Sequence, residues 1–195
     1  MNRLSLVFIL ALALSTSATS VRSTEVNLIF SPESPENEKF IEAVKEYQQI
    51  WSEEGKKLIE AMEQVSGMKF LEKEVRVTVF EGPSRSGGLS SPIKMRASYP
   101  ADVKKATLVH ELGHRMNIQL IRRPNDLDEH RILFLYLYDV WEKLYGKEFA
   151  DKQVEIEGKR KGIYDYESAW KWALSLDKEE RATKLKEIVL SNKNN

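Results

Sequence analysis

Thr107-Leu108-Val109-His110-Glu111-Leu112-Gly113-His114 contains two histidines four residues apart with a glutamate directly after the first. On a helix, positions four apart lie one turn apart on the same face. Two imidazoles so placed can hold one metal ion at about 2.0–2.1 Å each. Glu111 then sits beside the ion rather than on it, where its carboxylate can take a proton from an activated water. A single helical turn thus encodes two ligands and a base. At about 100° per residue, Leu108, Val109, Leu112 and Met116 group on one side of this helix. His110, His114, Val103, Ala106 and Thr107 group on the other. The helix is expected to lay its apolar side on a sheet and to point both histidines into a cleft.

A catalytic zinc usually has three protein ligands and one open position. His130 is the only other histidine. Phe134, Leu137, Trp141 and Leu144 follow it at helical spacing, so His130 continues a buried stripe. It is the expected third ligand. Glu129, about 100° off that stripe, is the runner-up, and Asp139 is nearly opposite. Asp126, one turn earlier, is a candidate to orient a ligand imidazole. Tyr99, Tyr164, Tyr166 and Arg85 are candidates to stabilise a developing oxyanion, with nothing in the sequence to choose among them.

The chain has no cysteine among its 195 residues. Disulfides, thiolate zinc sites and cysteine nucleophiles are excluded, and a Zn2+ cofactor must be held by His, Asp, Glu or backbone groups. Lys+Arg 30 balances Asp+Glu 30. That rules out a basic nucleic-acid grip spread over the surface. The balance gives no further electrostatic clue to partners, and oligomeric state leaves no mark. Met1-Asn2-Arg3 carries one positive charge, Leu4 to Leu14 is apolar apart from Ser5, and Ser15 to Ser20 is small and polar. Residues 1–20 read as a signal peptide. The apolar run is shorter than the ~20 residues that span a bilayer. A secreted or periplasmic chain with no stable membrane span after cleavage is expected.

The elements that must position these groups follow from periodicity. Residues 25–30 read as a strand. Ser34 reads as an N-cap and Pro35 as a first helical residue, opening a long helix from about Glu36 to Val65 that Gly67 stops. Residues 71–80 alternate, with Val75, Val77 and Val79 on one face. The segment 82–92 is a Gly/Ser/Pro loop, and 93–99 is another strand. Helices are expected over 102–117 and 126–145, and two or three more follow from Phe149. One domain is expected over 21–195: sheet plus active-site helix over 21–118, and a helical part over 119–195 that completes the cleft.

His110-Glu111-Leu112-Gly113-His114, preceded by Thr107 and Leu108 and followed by Met116, resembles the zincin metallopeptidases. The resemblance implies zinc on His110 and His114, with Glu111 polarising the attacking water. It also implies an α+β, zincin-like fold: a small, twisted, mostly antiparallel sheet, a long backing helix and an active-site helix, then a helical C-terminal half. It further implies a peptide or protein substrate as the partner, added as a strand along the edge at Ile93 to Ser98. Arg115 is charged where the family prefers an uncharged residue. Asn117 and Leu120 stand where metzincins need Gly and His. The alternative to a peptidase is a non-catalytic, zincin-like metal-binding or partner-binding protein.

Overall fold

The computed structural model describes residues 25–162 and 164–193. The signal peptide expected at 1–20 lies outside the described residues. Strand β1 (Asn27–Pro32), helix α1 (Glu38–Ser66) and strand β2 (Glu74–Phe80) open the fold, followed by β3 (Ile93–Arg96). Helices α2 (Ala101–Asn117), α3 (Glu129–Tyr145), α4 (Lys147–Gly158), α5 (Tyr166–Leu174) and α6 (Lys178–Lys193) complete it. No helix among the described residues is long and apolar enough to cross a membrane.

The sheet corrects the expected mostly antiparallel, zincin-like arrangement. Its three strands run in the order β1-β2-β3, and both neighbouring pairs are parallel. Strand patterning cannot tell the two arrangements apart, because both bury alternate side chains. The connections decide. Helix α1 carries the chain back to the starting end of β1, as a parallel crossover requires. The segment 81–92 does the same for β3 without a helix. It doubles back along the outer side of β3, where Arg85 and Lys94 form an antiparallel bridge.

Leu28 and Phe30 of β1, Val75, Val77 and Val79 of β2, and Ile93 and Met95 of β3 are buried. Helix α1 packs on this sheet. At 1.5 Å per residue it is ~43 Å long, about twice the length of a six-residue strand. It overhangs the sheet and packs against α2, α3 and α6 as well. Its N-cap is Asn37 rather than Ser34. The Asn37 side chain accepts from the Lys39 and Phe40 N–H groups at 3.0 and 3.4 Å. The Ser34 carbonyl instead accepts from Asn37 N–H, closing a turn ahead of the helix. Gly67 ends α1 with φ 69°, in the left-handed region that favours glycine.

Helix α3 is the hub. It packs against α1, α2, α4, α5 and α6, and every residue from Ile132 to Trp141 is buried. Asp139, opposite the His130 stripe, is therefore no solvent-facing residue. It accepts two hydrogen bonds from the Arg181 guanidinium of α6, at 2.9 and 3.1 Å. Helix α2 is also buried on almost all sides, with Lys104, Thr107, His110 and Glu111 covered along with its apolar residues. The face of α2 that carries the histidines is largely covered, by Glu157 of α4 at His110, Arg160 at Thr107 and the Tyr166 ring, while His114 keeps part of its side chain exposed.

The close approach of α2 to α3 depends on Gly113. A Cβ there would lie 2.3 Å from Leu133 Cδ1 and 3.2 Å from the Tyr136 hydroxyl. That hydroxyl donates to the Gly113 carbonyl at 3.0 Å, and Leu133 is itself fully buried. Gly113→Ala should destabilise the protein by about 1–3 kcal/mol through overpacking, read as a lower midpoint in urea. An unchanged midpoint would show that the two helices can part without cost.

Candidate metal centre

Helix α2 supplies His110 and His114, and the first turn of α3 supplies His130. One ligand nitrogen from each lies within 4.8 Å of the others. The ring centroids are 4.9 Å (His110–His114), 4.8 Å (His114–His130) and 5.6 Å (His110–His130) apart. These three histidines form a group that can hold a metal ion.

The outer nitrogens of the first two rings are taken by carboxylates. His110 Nδ1 lies 2.9 Å from Glu157 Oε1 in a bent contact, and His114 Nδ1 lies 3.1 Å from Glu129 Oε1. A carboxylate on Nδ1 fixes the proton there and leaves Nε2 with a bare lone pair. The two Nε2 atoms face each other at 3.1 Å. At that separation the pair either shares a proton in an N–H···N hydrogen bond or, with both lone pairs bare, offers two donors to one cation. Two ligands at about 2.05 Å from a tetrahedral ion would be about 3.3 Å apart, so the spacing suits one. Glu111 Oε2 is buried and has no hydrogen-bond partner in the protein.

Glu157 is a residue the sequence did not single out. It reaches His110 from the last turn of α4 and is 1% exposed. It also accepts from Trp170 Nε1 at 3.1 Å, and Arg160 NH1 lies 3.2 Å from its Oε1. The one signal was polar residues in step with the apolar side of α4: Ala150, Gln153 and Glu157 are its buried positions. Glu129, weighed as a ligand, instead braces His114. Asp126 is exposed and braces neither ring.

Charge at the site follows from burial set against these partners. Burial alone would raise the Glu157 carboxyl, but His110, Arg160 and Trp170 hold it below the ordinary range. The His114 hydrogen bond holds Glu129 low against burial. Burial pushes Glu111 up, against the pull of His110, His114 and Arg160. For His114, burial disfavours the cation, yet Glu129 and the surrounding carboxylates raise its pKa. His130 is pushed down to about 3 by burial and by repulsion from His110 and His114.

The pH dependence of metal-free protein follows. Between His130's folded value of about 3 and the ordinary histidine value of ~6.5, the unfolded chain holds a proton that the folded chain does not. Stability therefore falls as pH falls through that window. Glu129 and Glu157 add the same sign below the ordinary carboxylate range. His114 and Glu111, both raised, contribute in the opposite sense: the share of His114 fades as pH rises above ~6.5 and that of Glu111 as pH rises above the ordinary carboxylate range. The melting temperature of metal-free protein should drop between pH 6.5 and pH 3, and His130→Asn should flatten that slope. An equally steep slope in the variant would mean that His130 takes up its proton in the fold.

An aromatic wall surrounds the rings. Tyr164 stacks on His130 at 4.2 Å between centroids, and its hydroxyl donates to Asp128 Oδ1 at 2.7 Å. The Tyr166 hydroxyl lies 3.2 Å from His130 Nε2. Phe134 stacks on Trp170 at 3.8 Å, with its ring 6.0 Å from that of His110. Tyr99 is one shell out, under the Arg160 guanidinium at 6.0 Å. Arg85 stands over the Phe80 ring at the sheet edge, apart from the histidines.

That edge does not serve as the expected substrate strand. On β3, Lys94 exchanges two backbone hydrogen bonds with Arg85, at 2.8 and 3.0 Å. The Arg96 N–H donates to Ser84 Oγ, and its carbonyl accepts from the Tyr47 hydroxyl. The outward backbone groups of Lys94 and Arg96 are thus already partnered. Arg115 explains how the loop stays there. Its guanidinium donates to the Gly88 and Ser91 carbonyls and lies 3.6 Å from Glu72.

No protein-family model, no curated protein and no solved structure matches the chain. What the site can do rests on its own atoms.

Proposed function

We propose that this chain is a zinc-dependent metallopeptidase that acts outside the cytoplasm on a peptide or protein substrate. The observation that carries the reading is the facing pair of Nε2 atoms at 3.1 Å, with both Nδ1 atoms turned to carboxylates. Glu111, next to His110 along the helix, keeps a buried carboxylate oxygen without a partner. An all-imidazole donor set without thiolate or further carboxylate suits zinc, and three protein ligands leave one position open. Zinc there would acidify a water and polarise the substrate carbonyl.

The protein's own groups supply the rest. Glu111, its proton affinity raised by burial, takes the proton of the attacking water and returns it to the leaving amine. Glu157 and Glu129 keep His110 and His114 in the tautomer that presents Nε2. Phe134 and Trp170 keep one side of the site dry. The charge at Arg115 is satisfied by the loop and by Glu72, so it lends no weight to a non-catalytic role. The signal-like segment at residues 1–20 supports export.

The test is metal uptake together with hydrolysis. Metal-free protein titrated with Zn2+ should take up one equivalent. The loaded protein should cleave an unfolded protein such as casein, stop when the metal is chelated, and recover on adding zinc. Protein that takes up no zinc, or whose cleavage ignores chelation, would overturn the reading.

A further inference from the structure

Four groups were candidates to stabilise an oxyanion on sequence alone, and the geometry separates them. Arg85 is held at the sheet edge over Phe80. The Tyr164 hydroxyl is committed to Asp128, the residue that caps α3. Tyr99 reaches no histidine and lies beyond Arg160. Tyr166 alone among them brings a hydroxyl to a ring nitrogen of the metal-binding group, 3.2 Å from His130 Nε2. Its ring is 5.0 Å from that of His130 and 6.3 Å from that of His110. The Arg160 guanidinium, which lies beside Glu157, stands 5.8 Å over the Tyr166 ring.

We infer that the Tyr166 hydroxyl is the electrophilic hydrogen-bond donor of this site, aimed at the substrate carbonyl oxygen as negative charge develops on it. The assignment rests on the metallopeptidase reading for its substrate, but not for its geometry. In the metal-free arrangement the phenol O–H faces a histidine nitrogen. With a cation held at that nitrogen its lone pair would be occupied, and the phenol O–H would be free for a new acceptor. Tyr166 is the first residue of α5, and its ring is packed edge-on to Tyr164 and tilted against Phe134. The donor is therefore held in place before the substrate arrives, as electrostatic stabilisation of a transition state requires.

Two measurements on the full chain test this. The first does not depend on turnover. Cobalt-loaded protein is titrated with acetohydroxamate, whose oxygens stand in for the carbonyl and attacking oxygens, and binding is followed in the visible spectrum. Tyr166→Phe should keep its cobalt stoichiometry and bind acetohydroxamate about tenfold more weakly, the loss expected for one hydrogen bond to a charged acceptor. Tyr99→Phe, a substitution away from the histidines, should bind it as the unsubstituted protein does. The second is peptide hydrolysis, where Tyr166→Phe should lower kcat by about 100-fold or more with KM little changed. Undiminished acetohydroxamate affinity in Tyr166→Phe would overturn the assignment. So would loss of cobalt, which would make Tyr166 a ligand or a prop for His130. If the unsubstituted protein cleaves no peptide while the acetohydroxamate difference persists, the peptidase reading falls and the Tyr166 hydrogen bond stands.

Discussion

Glu111→Gln should lower peptide hydrolysis by roughly 10²–10⁴-fold, the range for loss of a general acid–base group, while zinc remains bound. The substitution keeps the shape of the side chain and removes only its ability to accept and return a proton. His110, His114 and His130 keep their positions, and the carboxylates on the first two rings are untouched, so metal affinity should change little. Stability carries a second signature. Burial raises the proton affinity of Glu111, which means the fold holds an ionisable group against its solvation. A neutral amide relieves that cost, so the metal-free variant should melt no lower than the unsubstituted protein. Groups arranged for catalysis at the expense of stability behave this way when they are replaced. Full activity in the variant would remove Glu111 from the mechanism. Loss of zinc together with activity would make it a ligand.

Glu157→Ala should be the most damaging substitution for the folded site. It removes at once the acceptor for Trp170 Nε1, the partner of Arg160 and the brace on His110. Leaving the buried Trp170 N–H without its acceptor costs about 1–3 kcal/mol, and the partly exposed Arg160 adds less than a fully buried cation would. Loss of the group that orients a ligand histidine typically weakens metal binding 10–100-fold. Both effects are measurable on one preparation, by urea denaturation without metal and by competition with a zinc chelator. Glu157→Gln keeps an acceptor of the same reach and should recover part of each loss. An alanine variant that folds and binds zinc like the unsubstituted protein would show that His110 is oriented by its own helix alone.

How much of this was legible in the chain depended on how local each relation is. The one-turn grouping of His110, Glu111 and His114 on α2 is fixed by helical periodicity within five residues, so it could be read directly. The alternating valines of β2 are equally local. His130 was legible at one remove, because its helical phase matched Phe134, Leu137 and Trp141. Its neighbour Glu129 was misjudged. A helical wheel gives the direction of the Cα–Cβ bond, but a glutamate side chain is long enough to reach back to His114 on another helix. Ser34 and Asn37 are both good caps, and only the turn ahead of α1 chose between them.

The sequence by itself determined that a helix would carry two imidazoles and a carboxylate on one turn, and that a strand and a long helix would precede it. The tertiary structure alone decided that the sheet is parallel, because strand direction depends on where 81–92 and α1 return the chain, not on the alternation within a strand. It alone brought Glu157 and Tyr166 to histidines far away along the chain, and it alone used up the backbone of β3 that a substrate was expected to pair with. Those pairings follow from how α4 and α5 close over α2. That packing is set by the summed burial of many side chains, which no short stretch of residues specifies.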